Sequence, residues 1–214
     1  MNSKIKKTDP GTVTIGMLSL GCPKNLVDSE VILGKLRSKG YGIADSVTDC
    51  TVAVINTCAF IQEARQESID CILEIVHLKK EGRIRAIVVA GCLPQKYCQA
   101  LAGEISEIDA MIGSCGYSEI ETVVEKILAG AKVTAVEDTR FTYDQASPRY
   151  FLTPAHSRYL KIAEGCDHRC AFCIIPELRG AYRSRPVESI VQEARSLCAL
   201  GMKEANLVSQ DSSY

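Results

Sequence analysis

The sequence predicts an α/β protein built on a parallel sheet. Three observations carry this. Short apolar runs rich in β-branched residues recur along the chain, as strands buried on both faces require. The first two are followed by apolar residues at helical spacing, the alternation that βαβ units produce. Three of the strand-like runs also end alike: Val13 to Leu20 leads to Gly21-Cys22, Val52 to Ile55 leads to Asn56-Thr57-Cys58, and Ile84 to Ala90 leads to Gly91-Cys92.

Taken in order, residues 1–12 read as a flexible tail. The start, Met1 to Lys7, is basic, but Val13 to Leu20 is interrupted by Thr14, Gly16 and Ser19 and has no small-residue cleavage site, so it reads as a first strand and not a secretory signal. Leu26, Val27, Val31, Leu33 and Leu36 then mark a helix stopping near Gly40. Ile61, Ile69, Ile72, Leu73 and Val76 mark a second, stopping near Gly82. A shorter helix is expected after Pro94, a weak strand at Ala110 to Ile112, and a helix from Ser118, a plausible N-cap, to Leu128, with Gly130 just past its end. Residues 13–130 are thus expected to form one domain. Residues 131–157, with Pro148 and Pro154 and no sustained period, read as a connector with room for a short strand. The pattern restarts in 158–214: a strand at Tyr159 to Ala163, a long loop from Gly165 to Arg185, a helix from Pro186 to Leu200 closed by Gly201, and a strand at Ala205 to Ser209.

Composition narrows the function. The 214 residues are 46% hydrophobic and 24% charged, which is ordinary for a globular chain and excludes collagenous, coiled-coil or mainly disordered types. The net charge of −1 supplies no global field for nucleic acid or anionic membrane. No apolar run approaches the ~18 residues that span a bilayer. The expected setting is the cytoplasm, where 11 cysteines point to metal binding or catalysis over disulfides.

The cysteines form two constellations. Cys166, Cys170 and Cys173 make a CxxxCxxC in a glycine-led loop after a strand. Three thiolates this close can wrap one iron–sulfur cubane; full ligation takes four, so one iron keeps an open position, as a catalytic metal centre needs. A zinc knuckle with His168 as fourth ligand, or plain buried cysteines, are the competing readings. The second constellation is dispersed. Cys22, Cys58 and Cys92 each follow a predicted parallel strand, and the carboxyl ends of such strands share one edge, where ligands bind. They are either a second three-thiolate site or buried cysteines acting as small apolar residues. Cys115 also follows a strand and stays open as a fourth ligand. Cys50, Cys71, Cys98 and Cys198 read as packing residues.

These residues resemble the radical S-adenosylmethionine (SAM) methylthiotransferase family. The match lies in YLKIAEGCDHRCAFCIIPELRGAYRSRP, SLGCPKNLVDSE, INTCAFIQEARQESID and VVAGCLPQ, and it covers nearly the whole chain from Val13 onward. Within the family, Gly21 to Glu30 is similar to the type that modifies an aspartate in the twelfth protein of the small ribosomal subunit; tRNA-modifying relatives carry GCQMN or GCKVN there. The resemblance implies a Rossmann/flavodoxin-like open parallel sheet, then the first βαβ unit of a truncated radical-SAM (β/α) barrel. It implies two 4Fe–4S clusters: Cys166, Cys170 and Cys173 would hold the radical cluster that binds SAM, and Cys22, Cys58 and Cys92 an auxiliary one, with no role for Cys115. It implies methylthiolation of the aspartate β-carbon: one SAM supplies the methyl group, and a second, cleaved reductively, supplies the radical that activates the carbon. The implied partners are the ribosomal protein, free or within the ribosome, and a flavodoxin- or ferredoxin-like electron donor, with no membrane. Alternatives are a tRNA adenosine methylthiotransferase and a non-catalytic iron–sulfur or zinc module.

Weaker candidates follow. Arg179-Gly180 and Arg183-Ser184-Arg185 lie where six basic and three acidic residues fall between Arg158 and Arg185, suited to SAM or ribosomal RNA or to a solvated loop. Gln210 and Asp211 end the last strand at the active edge, for cofactor or substrate contact or for capping. Asn25, Asp28 and Glu30 open the helix beside Cys22, either as N-terminal capping charges or as groups orienting the auxiliary cluster. His77 and His156 read as surface residues. Complete relatives are about twice this length by resemblance, so the chain alone is expected to be a fragment without turnover, its lone βαβ unit exposing strand edges.

Overall fold

Six strands make one parallel sheet: β1 (Thr14–Ser19), β2 (Gly42–Ile43), β3 (Val52–Thr57), β4 (Ala86–Gly91), β5 (Ala110–Ile112) and β6 (Val133–Ala135). The structure is a computed structural model that describes residues 13–136 and 141–213; the expected tail, 1–12, lies outside the described residues. The strands run in the order β2-β1-β3-β4-β5-β6. The chain leaves β1 in one direction to β2 and then crosses back to β3, so the order reverses between β1 and β3. In open α/β sheets the crevice at such a switch point is where ligands sit.

Helices α1 (Pro23–Ser38), α2 (Gln62–Lys80), α3 (Cys92–Glu104) and α4 (Ile120–Leu128) cover the sheet. Alternate residues of a strand face opposite sides, and the core divides accordingly. Val52, Val54, Ala86 and Val88 pack with Val27, Val31, Val123 and Val124 of α1 and α4. Ala53, Ile55, Ile87 and Val89 pack with Ile72, Val76, Leu93 and Leu101 of α2 and α3. Every residue of β3 and β4 is buried, which is why those runs lack any polar alternation.

A second unit follows: β7 (Ser157–Lys161), β8 (Ala163–Glu164), α5 (Ile175–Arg179), β9 (Arg183–Ser184), α6 (Val187–Ala199) and β10 (Glu204–Val208). β7 and β10 pair in parallel, and α6 packs against them through Leu160, Leu197 and Met202.

The structure departs from expectation in four places. β2 has two residues, too few to leave a period. α3 begins at Cys92, not after Pro94, because a proline in the first turn gives up an N–H that is unpaired there anyway. Ser118 is no N-cap: it lies in a 3₁₀ turn (Gly116–Glu119) wound by the burial of Tyr117 and Ile120, and α4 starts at Ile120. The long loop before Arg185 contains α5, short and carrying Pro176 in its first turn, and β9.

The two units are joined by buried charge. Asp28, on α1, pairs through one carboxylate oxygen with Lys161 and through the other with Arg179, 2.7 Å away. Glu164 pairs with the same two cations, at 2.6 and 3.3 Å. A second quartet lies beside the first: Arg149 bridges Glu30 of α1 and Glu193 of α6, the latter at 2.6 Å, and Arg185 reaches Glu193 at 2.5 Å. Each quartet holds two cations and two carboxylates. Isolated charges at these depths would cost several kcal/mol apiece; paired ones survive only in well-bonded geometry. The connector is pressed onto α1 as well, since a Cβ on Gly34 would lie 2.2 Å from the Pro148 carbonyl oxygen.

Two predictions follow from this joint. Arg149→Met removes the cation that bridges Glu30 and Glu193 and should destabilise the fold by about 3–5 kcal/mol in urea unfolding, whereas Lys39→Met, which removes an exposed pair with Glu125, should leave the midpoint unchanged. The second concerns acid. Burial raises the Glu164 carboxyl, but Lys161 and Arg179 outweigh it and hold it at about 2 against an ordinary 4.5. A depressed folded value stabilises above the unfolded one, so this contribution is present above pH ~4.5 and is lost as the pH falls toward 2. Unfolding midpoints across that window should fall steeply in the parent and less steeply in Glu164→Gln.

Candidate metal centres

Cys22, Cys58 and Cys92 sit at the switch point. Cys22 immediately precedes α1, Cys58 immediately follows β3, and Cys92 opens α3 just past β4. Thr57 is in register with Gly91, so Cys58 and Cys92 leave adjacent strand ends, which lie ~4.8 Å apart in a sheet. The end of β1 closes in from the other side. Gly21 has φ +85°, and a Cβ there would lie 2.6 Å from the Cys58 Cβ. Gly91, at φ +96°, leaves room for Asn56, whose Oδ1 would lie 2.4 Å from an added Cβ. Only glycine tolerates both the positive φ and the approach.

Polar side chains pin each thiol-bearing turn. The Asn25 amide donates to the carbonyls of Leu20 (3.1 Å) and Thr57 (2.9 Å), and the Asn56 amide donates to the Asn25 carbonyl at 2.8 Å and to Ser29 Oγ at 2.9 Å. Thr57 Oγ1 donates to the Ala90 carbonyl at 2.6 Å, and the Cys58 N–H donates to Ser68 Oγ at 3.1 Å. Cys58 and Cys92 are buried and Cys22 half-buried. Burial pushes the Cys92 thiol up; the Arg179 cation opposes this, while Cys58 and Cys22 add to it, so the three sulfurs share one electrostatic environment.

Cys166, Cys170 and Cys173 lie on the loop between β8 and α5. Gly165 starts it at φ +77°, where a Cβ would meet the Ala181 carbonyl oxygen at 2.1 Å. The Cys166 N–H donates to the Gly180 carbonyl (3.2 Å) and the Cys173 N–H to the Cys170 carbonyl (3.0 Å). Cys170 is exposed; Cys166 and Cys173 are half-buried. His168 Nε2 and Asp211 Oδ2 are 2.7 Å apart, and the Cys166 sulfur, a His168 ring nitrogen and an Asp211 oxygen all lie within 4.8 Å of one another. Hydrogen bonds from the Ser213 N–H and hydroxyl, then from His168, hold the Asp211 carboxyl below its usual range. Asp211 thus faces the cysteine loop, as a residue at that strand end should.

The loop and the sheet edge meet. α5 packs on α3, with Lys96 and Glu177 paired at 3.0 Å and the Ser114 hydroxyl donating to the Leu178 carbonyl. Lys24, two residues past Cys22, donates to the Ser209 carbonyl at 3.5 Å. Both thiol sets therefore lie on one side of the molecule.

Several expected roles are revised. Arg179 is on no accessible loop: it is buried and bonded to Asp28, Glu164 and Asn25 Oδ1. Of the basic residues between Arg158 and Arg185, Arg158, Lys161, Arg179 and Arg185 are buried, so the cluster is neither a solvated loop nor a free nucleic-acid surface. Their partners are carboxylates or, for Arg158, the Phe151 ring at 4.1 Å and the Thr153 side chain. Gln210 turns inward, donating to Glu164 Oε1 at 2.6 Å. Asn25, Asp28 and Glu30 do not cap α1; they bond inward to the strand ends and the second unit. Cys115 is buried among the charges of Glu164, Arg179, Lys161 and Asp28, its thiol pushed up to about 11 mainly by burial. Cys50 is buried, Cys71 and Cys98 are half-buried, but Cys198 is exposed and packs little, since it faces outward from α6. His77 and His156 are on the surface. Sequence reasoning missed Lys161, Glu164, Arg149 and Glu193. Lys161 and Glu164 were detectable, as charges interrupting an otherwise apolar strand (YLKIAEG); Arg149 lay in a segment without period.

Comparison with known proteins agrees with this architecture. Residues 14–113 match the profile of Uncharacterized protein family UPF0004, and residues 160–214 match that of the Radical SAM superfamily. A protein of Symbiobacterium thermophilum, named ribosomal protein uS12 methylthiotransferase RimO, is 50% identical over 202 residues, covering 94% of this chain and 42% of that protein. Its namesakes from Geobacter sulfurreducens and Clostridioides difficile are 48% and 43% identical, each over 92% of this chain and 44% of the relative. The chain thus spans less than half the length of these relatives. The chain thus carries a UPF0004 segment followed by a radical SAM segment, and along both it is similar to the matching part of the RimO proteins.

Proposed function

We propose that this chain is the cluster-bearing part of an enzyme that adds sulfur and a methyl group to the β-carbon of an aspartate in ribosomal protein uS12. One observation carries the reading: the loop that bears Cys166, Cys170 and Cys173 leads into α5, which packs on α3, the helix that Cys92 opens. A radical SAM segment implies one 4Fe–4S cluster and SAM; the second cluster is part of this proposal. The donor sets fit the groups. Thiolates are the ligands that iron–sulfur clusters take, and three leave a coordination position open. The uS12 substrate comes from the names of the relatives.

When bound at the loop, a reduced cluster supplies the electron that cleaves SAM and so makes attack on an unactivated carbon possible. The chain's own residues supply placement. Gly165 and the Gly180 carbonyl hold the start of the Cys166 loop, and Asp211 and His168 tie that loop to the end of β10. Asn25, Asn56 and Ser68 hold the turns that carry the dispersed cysteines at neighbouring strand ends. Cys58 and Cys92 are buried there. The electron is supplied from outside by a flavodoxin- or ferredoxin-like donor in the cytoplasm. Among the described residues no helix is long and apolar enough to cross a membrane.

Iron and acid-labile sulfide per chain, after oxygen-free reconstitution, test the cluster assignment. About eight irons are expected, falling to about four in the Cys166/Cys170/Cys173 triple alanine variant and also to about four in the Cys22/Cys58/Cys92 variant. About four irons falling to none in the first variant would remove the dispersed site, and zinc in place of iron would remove the radical chemistry. Mass spectrometry of cellular uS12 tests the substrate. The aspartate should carry a methylthio increment that disappears when Cys22, Cys58 and Cys92 are replaced in the gene; an increment lost from a tRNA adenosine instead would move the activity to tRNA.

A further inference from the structure

Lys24 connects the two cysteine-bearing regions. It is the second residue of α1, two past Cys22, and its ammonium donates across to the Ser209 carbonyl oxygen at 3.5 Å. Ser209 directly follows β10 and stands two residues before Asp211, whose carboxylate lies within 4.8 Å of the Cys166 sulfur. One cation therefore touches both the helix that begins beside Cys22 and the strand end that faces the other thiols.

This cation is uncommitted. Lys161 and Arg179 are each held by Asp28 and Glu164, and Arg183 spends its terminal nitrogens on the Ala181 and Arg179 carbonyls. Lys24 is half-buried and forms no ion pair among the described residues; its partner there is the one uncharged carbonyl. An ammonium carries three donors, so two remain for a ligand. The surroundings suit an anion. The Ser209 hydroxyl is buried and has no hydrogen-bond partner among the described residues, so it can donate to an oxygen brought against it. α1 opens with no acidic residue in its first turn and no side-chain cap, and the N-terminus of a helix attracts negative charge.

We propose that Lys24 is a specificity-determining residue: it binds the side-chain carboxylate of the substrate aspartate and so places the β-carbon, one bond away, where the two cysteine-bearing regions meet. The inference rests on the uS12 reading above. Asp28, Glu164 and Asp211 would repel a second carboxylate in this region, and a free ammonium offsets that repulsion. An asparagine side chain has no charge to gain from it, so Lys24 separates aspartate from its amide. A compact cation on a flexible stem suits a group that must enter and leave.

Peptide binding to the protein as its gene encodes it, reconstituted without oxygen, tests this. The probe is a fluorescent peptide copied from the uS12 segment around the modified aspartate, alongside the same peptide with asparagine at that position. The parent should bind the aspartate peptide more tightly by about tenfold or more, as a charge-assisted hydrogen bond requires. Lys24→Met should erase this preference by weakening the aspartate peptide alone, and Lys24→Arg should keep most of it. Equal weakening of both peptides in Lys24→Met would mean that Lys24 only props α1 against β10. An undiminished preference would mean that the carboxylate is held elsewhere. Either result overturns the proposal, as does a parent that binds both peptides equally. Iron content shows whether each variant keeps its clusters; if Lys24→Met loses them, Lys24→Gln, whose amide can still donate to the Ser209 carbonyl, decides. A parent that binds neither peptide would refute the uS12 reading itself, a result distinct from an aspartate preference that ignores Lys24.

Discussion

The pairing of Asp28 with Lys161 and Arg179 is the constraint on which the rest of the structure depends. Four charged side chains with almost no solvent contact meet between α1 and the second unit. Such a group is stable only when every member is in place, because removing one strands another at the full cost of a buried charge. This makes the joint intolerant of other arrangements. The apolar cluster within the second unit is small, centred on Leu160, Leu197 and Met202, and the unit also sets Leu178 and Tyr159 against the clusters of the sheet.

The same helix serves both purposes. α1 begins beside Cys22 and one turn later presents Asp28 to the second unit. Its first turns are tied to β3 through Asn25, Ser29 and Asn56. The helix that opens beside Cys22 is thus the one that bears the buried carboxylates of the joint. The sheet contributes the other half of the placement. Because strand order reverses between β1 and β3, the ends of these strands open a crevice, and the glycines at 21 and 91 let backbone and thiols approach closely within it. Cysteines far apart in sequence thereby follow neighbouring strand ends.

Much of this was legible in the sequence, for identifiable reasons. β3 and β4 are buried on both faces, so their composition alone marks them, and the cysteine that follows each is placed by strand direction. α1 and α2 are long enough to show a period. What was hidden depends on contacts distant in the chain. The two residues of β2 and the five of α5 are too short for periodicity. Asp28 and Glu30 look like ordinary charges of a helix start, and Arg179 and Arg185 like a basic loop; only the tertiary fold pairs them across more than a hundred residues for Asp28–Arg179 and within eight for Arg185–Glu193. The residues 137–140 of the connector lie outside the described structure.

The central claim is that sheet and second unit form one body held by buried charge. Native-state hydrogen exchange measures this most directly. The account predicts that the β7 amides of Leu160 and Lys161 exchange only through the opening that also exposes α1 around Val31, and that Lys161→Met lowers the protection of both together. Exchange at β7 that is orders of magnitude faster than at α1, with α1 unchanged in the variant, would show two independent units and contradict the account.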